Sequence, residues 1–202
     1  MVVLDAAIQC FWARGYEATS VKDLVGRAGI TAASLYNAYG DKRGIFQTAL
    51  VHYVDSSIGE RIRRCEALPP RQAIDEFFNE ILSHSLSDRE HKGCMLVNSA
   101  LEMAPHDPEF QKIIAGALGR IERFFLHCIE TGQADGTIKR SMLADVLARH
   151  LLGVLMGIRV LARVRPERAL LEGVAAPALA LLDAVDDPPK YGRASPKPKS
   201  RL

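Results

Sequence analysis

Residues 19–46 read T-S-V-K-D-L-V-G-R-A-G-I-T-A-A-S-L-Y-N-A-Y-G-D-K-R-G-I-F, and this stretch decides the fold. A hydroxyl at Thr19 or Ser20 can cap a first helix by accepting a free backbone N–H, and apolar residues follow at helical spacing. Gly29 ends that helix, because glycine adopts the left-handed conformation that terminates helices, and Thr31 can cap a second one. A helix, a glycine-containing turn and a second helix form the pattern of a helix-turn-helix, whose second helix enters the major groove of DNA.

The second helix of this pair carries side chains that suit contact with DNA. Leu35 is predicted to face the small core, whereas Ala32 and Ala33 let base edges approach closely and can contact a thymine methyl group. Asn37 can bind an adenine edge, and Lys42 suits a phosphate. An ordinary helical hairpin with capped ends has the same pattern, so both interpretations remain open at this point. The candidate DNA-binding residues are Thr19, Ser20, Thr31, Ala32, Ala33, Ser34, Tyr36, Asn37, Tyr39 and Lys42.

The run G-I-T-A-A-S-L-Y-N-A-Y-G-D-K-R-G-I-F resembles the signature of the TetR family of one-component bacterial transcriptional regulators. The match is dense and without gaps, and it covers the first quarter of the chain. Leu24 and Val25 stand where Ile and Ala are usual in that family, and Tyr39 stands where Phe is commoner, but all three keep the apolar character. The matching residues are Thr19, Ala28, Gly29, Ile30, Thr31, Ser34, Leu35, Tyr36, Tyr39, Asp41, Lys42 and Ile45.

The resemblance implies an all-α protein of about nine helices, with an N-terminal three-helix helix-turn-helix DNA-binding domain and a C-terminal helical ligand-binding and dimerisation domain. We place these domains at residues 1–50 and 51–185. No flexible linker separates them, because apolar spacing predicts one long helix from Asp41 to about Cys65. Residues 186–202 are proline-rich and basic, which predicts a disordered tail.

Apolar residues at helical spacing predict the other helices, and no alternating pattern is long enough to predict a strand. Arg61, Arg63 and Arg64 on the long helix are interpreted as a solvent-exposed face. The remaining predicted helices cover residues 2–14, 70–86, 93–104, 107–131, 141–164 and 166–184, the last with a kink at Pro177.

The helix predicted at 141–164 is apolar nearly all round, so it must be buried on every side. One interpretation is a central core helix of a single monomer. The other, implied by the resemblance, is a two-fold four-helix interface that the segments 141–164 and 166–184 of two chains form together. A homodimer would also suit a pseudo-palindromic operator, because two recognition helices would then lie about one DNA turn apart.

The composition is that of an ordinary globular protein, with 48% hydrophobic and 25% charged residues among 202. No apolar run reaches membrane-spanning length and no signal peptide is evident, which predicts a cytoplasmic location without membrane contact. Residues 1–50 carry five basic and four acidic residues, and the basic arm that often precedes the first helix in the TetR family is either absent or trimmed from this sequence. This near-neutral charge favours an alternative, a helical small-molecule or partner-binding module without specific DNA binding.

The sequence does not predict an enzyme, a cofactor or a metal site. It contains no nucleophile elbow, P-loop or glycine-rich dinucleotide turn. His84, His91 and Cys94 are close in sequence, but their spacing is not a standard zinc pattern. The four cysteines are scattered without paired spacing and are interpreted as reduced, mostly buried thiols.

The resemblance implies a small-molecule effector, and we expect it to be largely apolar and to bind in the C-terminal domain. Its binding would release a repressor from the operator, because the long helix reaches both DNA and ligand. For every candidate pocket residue, plain packing or solvent exposure is the competing interpretation. The candidates are Phe77, Phe78, Met95, Asn98, Glu102, Phe124, Phe125, His150 and Met156.

Overall fold

The computed structural model describes residues 2–183, and these residues form nine helices. The predicted tail at 186–202 and the predicted end of the last helix at residue 184 lie outside the described part. Within it, a single isolated antiparallel bridge joins Ile138 and Asp183, and no helix is long and apolar enough to cross a membrane. The helices are α1 Val2–Arg14, α2 Val21–Ala28, α3 Ala32–Tyr39, α4 Lys42–Cys65, α5 Pro70–Ser87, α6 Met95–Glu102, α7 Pro108–Asp135, α8 Ala144–Val164 and α9 Arg168–Ala180.

Local capping chemistry sets the ends of the short helices. Ser20, rather than Thr19, is the N-cap of α2, and it forms a capping box in which Ser20 and Asp23 each accept the other's backbone N–H. Gly29 ends the helix in the left-handed conformation with φ of 66°, as predicted. Thr31 caps α3 by accepting the Ser34 N–H at 3.1 Å.

The helix-turn-helix packs on a small aromatic and aliphatic core. Leu24 of α2 and Leu35 of α3 are almost completely enclosed. Phe11 of α1 meets Phe46 of α4 edge to face, with ring centroids 4.7 Å apart. The three N-terminal helices and the start of α4 therefore form one unit that fixes the orientation of α3.

Helix α4 is continuous but not uniform, which the sequence did not predict. It is α-helical over Lys42–Tyr53, has a π-helical turn over Val54–Gly59, and is α-helical again over Glu60–Cys65. A π turn inserts one residue and rotates the side chains beyond it. Arg61, which follows this turn, is only 5% exposed, so the interpretation of Arg61 as part of a solvent-exposed face is wrong, whereas Arg63 and Arg64 are exposed.

The C-terminal helices pack around an aromatic cluster. Phe77 and Phe78 of α5 lie against Phe124 and Phe125 of α7, with centroid separations of 5.2–5.7 Å between the helices. Helix α8 covers this cluster and contributes buried aliphatic residues such as Leu155. The result is a bundle whose interior is filled by side chains.

Helix α8 is not buried on every side within one chain, so the interpretation as a central core helix of one monomer is wrong. One face packs against α5 and α7, while the opposite face leaves an apolar stripe exposed. Helix α9 begins two residues later than predicted, continues through Pro177 and ends at Ala180, about four residues before its predicted end. The exposed stripe of α8 consists of Val146, His150, Gly153, Gly157, Val160 and Val164, with Gly157 half-buried.

Candidate functional site

The exposed face of α3 is the first candidate site. Leu35 is fully enclosed and anchors the helix, so that the side chains on its other faces point away from the core. Tyr36 is 45% exposed despite its large ring, and Asn37 is exposed beside it. An anchored short helix with small and polar outer side chains matches a recognition helix of the helix-turn-helix type. The exposed residues of the predicted set are Ser20, Thr31, Ala32, Ala33, Ser34, Tyr36 and Asn37.

Thr19 belongs to the core instead of this face. It is fully enclosed, and its hydroxyl donates to the Gly15 carbonyl at 2.6 Å. The Cys10 carbonyl lies 3.4 Å from the same oxygen. Thr19 therefore holds the end of α1 against the start of α2, and it is corrected from a candidate DNA contact to a structural residue.

The basic residues at the start of α4 already have partners in the chain. Lys42 Nζ lies 4.3 Å from the centroid of the Tyr16 ring and donates to the Glu17 carbonyl at 3.4 Å. Lys42 and Tyr39 are half-buried, at the edge of the exposed face. Lys42 therefore stands beside the candidate DNA surface and would have to leave Glu17 to reach a phosphate.

Arg43 turns the other way and joins the two halves of the chain. Its guanidinium donates to both Asp107 oxygens, at 2.9 and 3.1 Å, and to Glu109 at 2.7 Å. These hydrogen bonds from Arg43 hold the pKa of the Asp107 carboxyl below its ordinary value. Because Asp107 also caps α7, the start of α4 and the start of α7 form one connected unit.

A cavity of about 450 Å³ between the two halves of the chain is the second candidate site. Five segments contribute to its wall, and the far end of α4 supplies the largest share. Its lining residues are Trp12 from α1; Tyr53, Ser56, Ser57, Arg61 and Arg64 from α4; His84, Ser85 and Ser87 from α5; Asp88, Lys92 and Gly93 from the following loop; and Arg159 and Ala162 from α8.

None of the nine residues predicted to form an apolar pocket lines this cavity. The four phenylalanines and Met95 are packed core residues, because their apolar surfaces fit against one another. Phe77 and Met156 border only a void of about 20 Å³. The structure therefore gives no support to that apolar pocket.

The three polar members of the predicted pocket are also separate from the cavity. The Asn98 side-chain amide donates to the Lys92 carbonyl at 2.9 Å, and Glu102 accepts the Glu17 backbone N–H at 3.0 Å. His150 is exposed on α8. Asn98 and Glu102 thus hold the loop and the end of α1 in place.

The sequence analysis did not identify the cavity residues, although the positions of two of them next to core residues could have indicated a buried charge. Arg159 follows the buried Ile158 on an otherwise apolar face of α8, and Arg61 precedes the buried Ile62 on α4. A charged residue at core spacing is rarely buried unless it has a partner or a function. The polar groups of the cavity wall could not be paired from sequence alone, because α5 and α8 are far apart in the chain.

The wall of the cavity is electrostatically positive. Arg61 and Arg64 share Glu80, at 3.0 and 2.7 Å, while the Arg159 Nη1 donates to the Ser85 hydroxyl at 3.2 Å. Burial lowers the pKa of Arg61, and the nearby charge of Arg159 lowers it further. Burial and the same two arginines lower the pKa of His84, which is therefore neutral near pH 7.

Tyr53 connects this wall to the loop after α5. Its hydroxyl lies 3.7 Å from the Cys94 Sγ, and its ring meets Trp12 edge to face at 5.3 Å. Burial raises the pKa of Tyr53, so the phenol remains protonated. Within residues 2–183, no three His, Cys, Asp or Glu side chains gather as a metal site would require.

Two family profiles match the chain over most of its length. The first is described as bacterial regulatory proteins, tetR family, and covers residues 3–49. The second is described as a tetracyclin repressor-like C-terminal domain and covers residues 70–176. The second profile alone spans more than half of the chain.

Known proteins agree with these profiles. The uncharacterized HTH-type transcriptional regulator YezE of Bacillus subtilis (strain 168) is 30% identical over 184 residues, covering 90% of this chain and 95% of that protein. The HTH-type transcriptional repressor ComR of Escherichia coli (strain K12) is 28% identical over 79% of this chain and 77% of its own length. The named relatives are regulators, in agreement with the prediction that the chain is not an enzyme.

A solved complex shows a structurally similar regulator bound to DNA. A cysteine mutant of the TetR family transcriptional regulator CifR, complexed with 26-bp double-strand operator DNA, has a TM-score of 0.78 at 31% identity, over 88% of this chain and 94% of that chain. These matches favour a regulator over a helical module without specific DNA binding. They confirm the resemblance in the sequence, and the chain belongs to the TetR family of helix-turn-helix transcriptional regulators.

Proposed function

We propose that a homodimer of this chain binds a pseudo-palindromic operator through α3 of each copy and represses transcription until a small molecule enters the cavity between the two halves. The observation that carries this proposal is the face of α3, where Leu35 is enclosed while Tyr36 and Asn37 are exposed. The exposed members of the predicted set remain the proposed DNA contacts, with Lys42 and Tyr39 at the edge. Operator binding implies a cytoplasmic location.

The exposed stripe of α8 supports the dimer. Val160 and Val164 are large apolar residues left open to solvent, and a Cβ placed at Gly153 or Gly157 would meet nothing within 4 Å. Small residues let a second helix approach closely, and apolar surface of this kind is stabilised by burial. We propose that α8 and α9 of two copies form a four-helix interface around a two-fold axis, which also aligns the two α3 helices with one duplex.

The cavity is placed to affect DNA binding through two connections. Helix α4 carries Lys42 at the candidate DNA surface before the π turn, and it carries Ser57 within the π turn and Arg61 beyond it at the cavity. Trp12 of α1 lines the cavity and donates its indole N–H to the Gly93 carbonyl at 3.2 Å. A ligand that binds better when these segments are displaced would favour a conformation in which the two α3 helices no longer match the operator.

A gel-shift titration with the DNA upstream of the chain's own coding region, at one stated salt concentration, tests the DNA-binding part. We expect the wild type to bind saturably and Tyr36→Ala to bind about tenfold more weakly, which corresponds to about 1.4 kcal/mol. Tyr36→Phe keeps the aromatic ring and removes only the hydroxyl, so it distinguishes the contribution of the hydroxyl to DNA binding from that of the ring. Gln111→Ala, at an exposed position on α7, is the matched control and should bind as the wild type does.

Two results would contradict the proposal. One is the absence of any shift across salt concentrations at which phosphate contacts normally hold a protein on DNA. The other is equal affinity of the wild type and Tyr36→Ala, because the exposed face of α3 would then not be the contact surface.

A further inference from the structure

We propose that the cavity binds a small organic anion, with the Arg159 guanidinium as the partner of its carboxylate. This inference rests on the proposed function, because it names the chemical class of the effector. It also replaces the largely apolar effector expected from the sequence.

Arg159 is a buried cation without an anionic partner among the described residues. Arg159 is only 8% exposed, yet no carboxylate of residues 2–183 lies within ion-pair distance of its guanidinium. The one hydrogen bond that its guanidinium makes to these residues goes to the neutral Ser85 hydroxyl at 3.2 Å. A guanidinium has five N–H donors, and a buried charge is costly unless it is paired. Arg159 lines the cavity, so its unused donors are available to a ligand there.

Each of the other cations in the wall has a carboxylate within ion-pair distance. Arg61 and Arg64 share the Glu80 carboxylate, which accepts from both. Lys92 pairs with Glu90 outside the cavity and lies over the Trp12 ring. Arg159 is thus the cation whose charge no carboxylate of the described chain balances.

The remaining acidic residue in the wall, Asp88, does not pair with Arg159. Asp88 accepts the backbone N–H groups of Glu90 and Gly93, at 3.2 and 2.9 Å, and shapes the loop. The four positive charges of Arg61, Arg64, Lys92 and Arg159 stand against the three negative charges of Glu80, Glu90 and Asp88, so one positive charge remains around the cavity. That balance suits a single carboxylate, which the planar guanidinium can bind through two parallel hydrogen bonds.

Neutral donors and aromatic rings complete the proposed site. His84 is kept neutral by its lowered pKa, and Ser57 offers a hydroxyl on the π turn. Trp12 and Tyr53 contribute aromatic rings to the cavity wall. The volume of about 450 Å³ lies within the usual range for small-molecule sites, about 300–1,000 Å³. The ligand that fits this site is a carboxylate attached to a compact, partly apolar organic group.

Calorimetric titration of the full chain without DNA tests this inference, with sodium acetate, sodium benzoate and sodium phosphate as probes and benzamide as the uncharged match of benzoate. Ionic strength is held constant throughout. We expect saturable binding of benzoate, weaker binding of acetate because it leaves the aromatic surface uncovered, and no saturable binding of benzamide. Absence of saturable binding by all three anions, or equal affinity for benzoate and benzamide, would overturn the proposal.

Matched variants locate the anion. Arg159→Met should weaken benzoate binding by about tenfold or more. Arg149→Met, on the same helix but exposed and paired with Glu122 and Asp145, should leave it unchanged. Unchanged benzoate affinity in Arg159→Met would exclude Arg159 as the partner. If Arg159→Met does not fold, Arg159→Lys keeps the charge without the planar fork and must weaken binding by at least about threefold.

The operator gel shift separates this inference from the proposed function. Operator binding without any saturable anion binding overturns the anion site and leaves the DNA-binding proposal intact. Saturable anion binding by a protein that never binds its upstream DNA overturns the proposed function alone. Release of the operator by benzoate in the wild type, but not in Arg159→Met, is the result expected if both are correct.

Discussion

The helix-turn-helix and the cavity are connected by one helix, but they are built in different ways. The helix-turn-helix is made of neighbours in sequence: Ser20 caps with Asp23, and Thr31 caps with Ser34. The cavity brings together Trp12 and Arg159 from nearly opposite ends of the chain. The first is controlled by interactions over three or four residues, and the second by how distant helices pack.

This difference explains why the helix-turn-helix was predicted correctly in outline and the cavity was not. A hydroxyl three residues before a free N–H, or a glycine after an apolar run, is visible in a sequence. The partner of a buried arginine is not visible, because it depends on which helices meet. Substitutions in the helix-turn-helix and around the cavity test whether each region depends on the other for its structure and how the two are coupled.

The largest expected effect comes from the core of the helix-turn-helix. Leu35→Ala removes a fully enclosed side chain and should lower the free energy of unfolding by about 3 kcal/mol. Chemical denaturation at one protomer concentration measures this loss, and operator binding should fall with it. Asn37→Ala, at an exposed neighbouring position, should change the free energy of unfolding by less than about 0.5 kcal/mol.

If the cavity does not depend on the packing of the helix-turn-helix, benzoate affinity should be the same in Leu35→Ala as in the wild type. A loss of benzoate binding in that variant would mean that the cavity depends on the integrity of the helix-turn-helix.

A smaller effect is expected where the two regions touch. Trp12→Phe keeps an aromatic ring in the cavity but removes the indole N–H that donates to the Gly93 carbonyl. We expect a loss of about 1.5 kcal/mol in the free energy of unfolding, because the carbonyl is left without this donor. Thermal melting measures the loss, and Tyr16→Phe, which removes a hydroxyl without a hydrogen bond among the described residues, is the control.

The same variant tests the connection between the sites. In Trp12→Phe, benzoate should still bind, but a given occupancy should release less operator than in the wild type. Full release at equal occupancy would show that the coupling does not pass through Trp12.

The smallest effect concerns a single helix cap. Ser20→Ala removes half of the capping box and should cost about 1 kcal/mol, whereas Ser20→Thr keeps a hydroxyl and should cost less. The hydrogen bonds from the Ser20 hydroxyl and backbone N–H lower the pKa of the Asp23 carboxyl. A lowered folded-state pKa contributes stability above the ordinary carboxyl pKa, and this stability is lost as pH falls through the folded value.

The difference in melting temperature between the wild type and Ser20→Ala should therefore be largest near neutral pH and should shrink below about pH 4. A difference that stays constant into acid would mean that the Asp23 carboxylate does not contribute to the cap.

Particular residues show how far sequence reasoning reaches. It assigned the capping role to Thr19 or Ser20, but only the packing of α1 on α2 shows that Thr19 turns inward to Gly15. It predicted the long helix from Asp41, but not the π turn at Val54–Gly59 that accompanies the burial of Arg61. Phe77 and Phe124 were predicted as pocket walls, yet they fill the core, and the cavity is lined by other, mostly polar residues.

The sequence by itself determined the helices, the turn between α2 and α3, and the family, because capping, glycine conformation and apolar spacing act over a few neighbouring residues. The tertiary structure alone decided which polar groups face one another. Arg159 is one more cation on a helix until the packing places Ser85 of α5 beside it, with no carboxylate of residues 2–183 within ion-pair distance. Its uncompensated charge is a property of the packed chain, and the proposed effector chemistry depends on it.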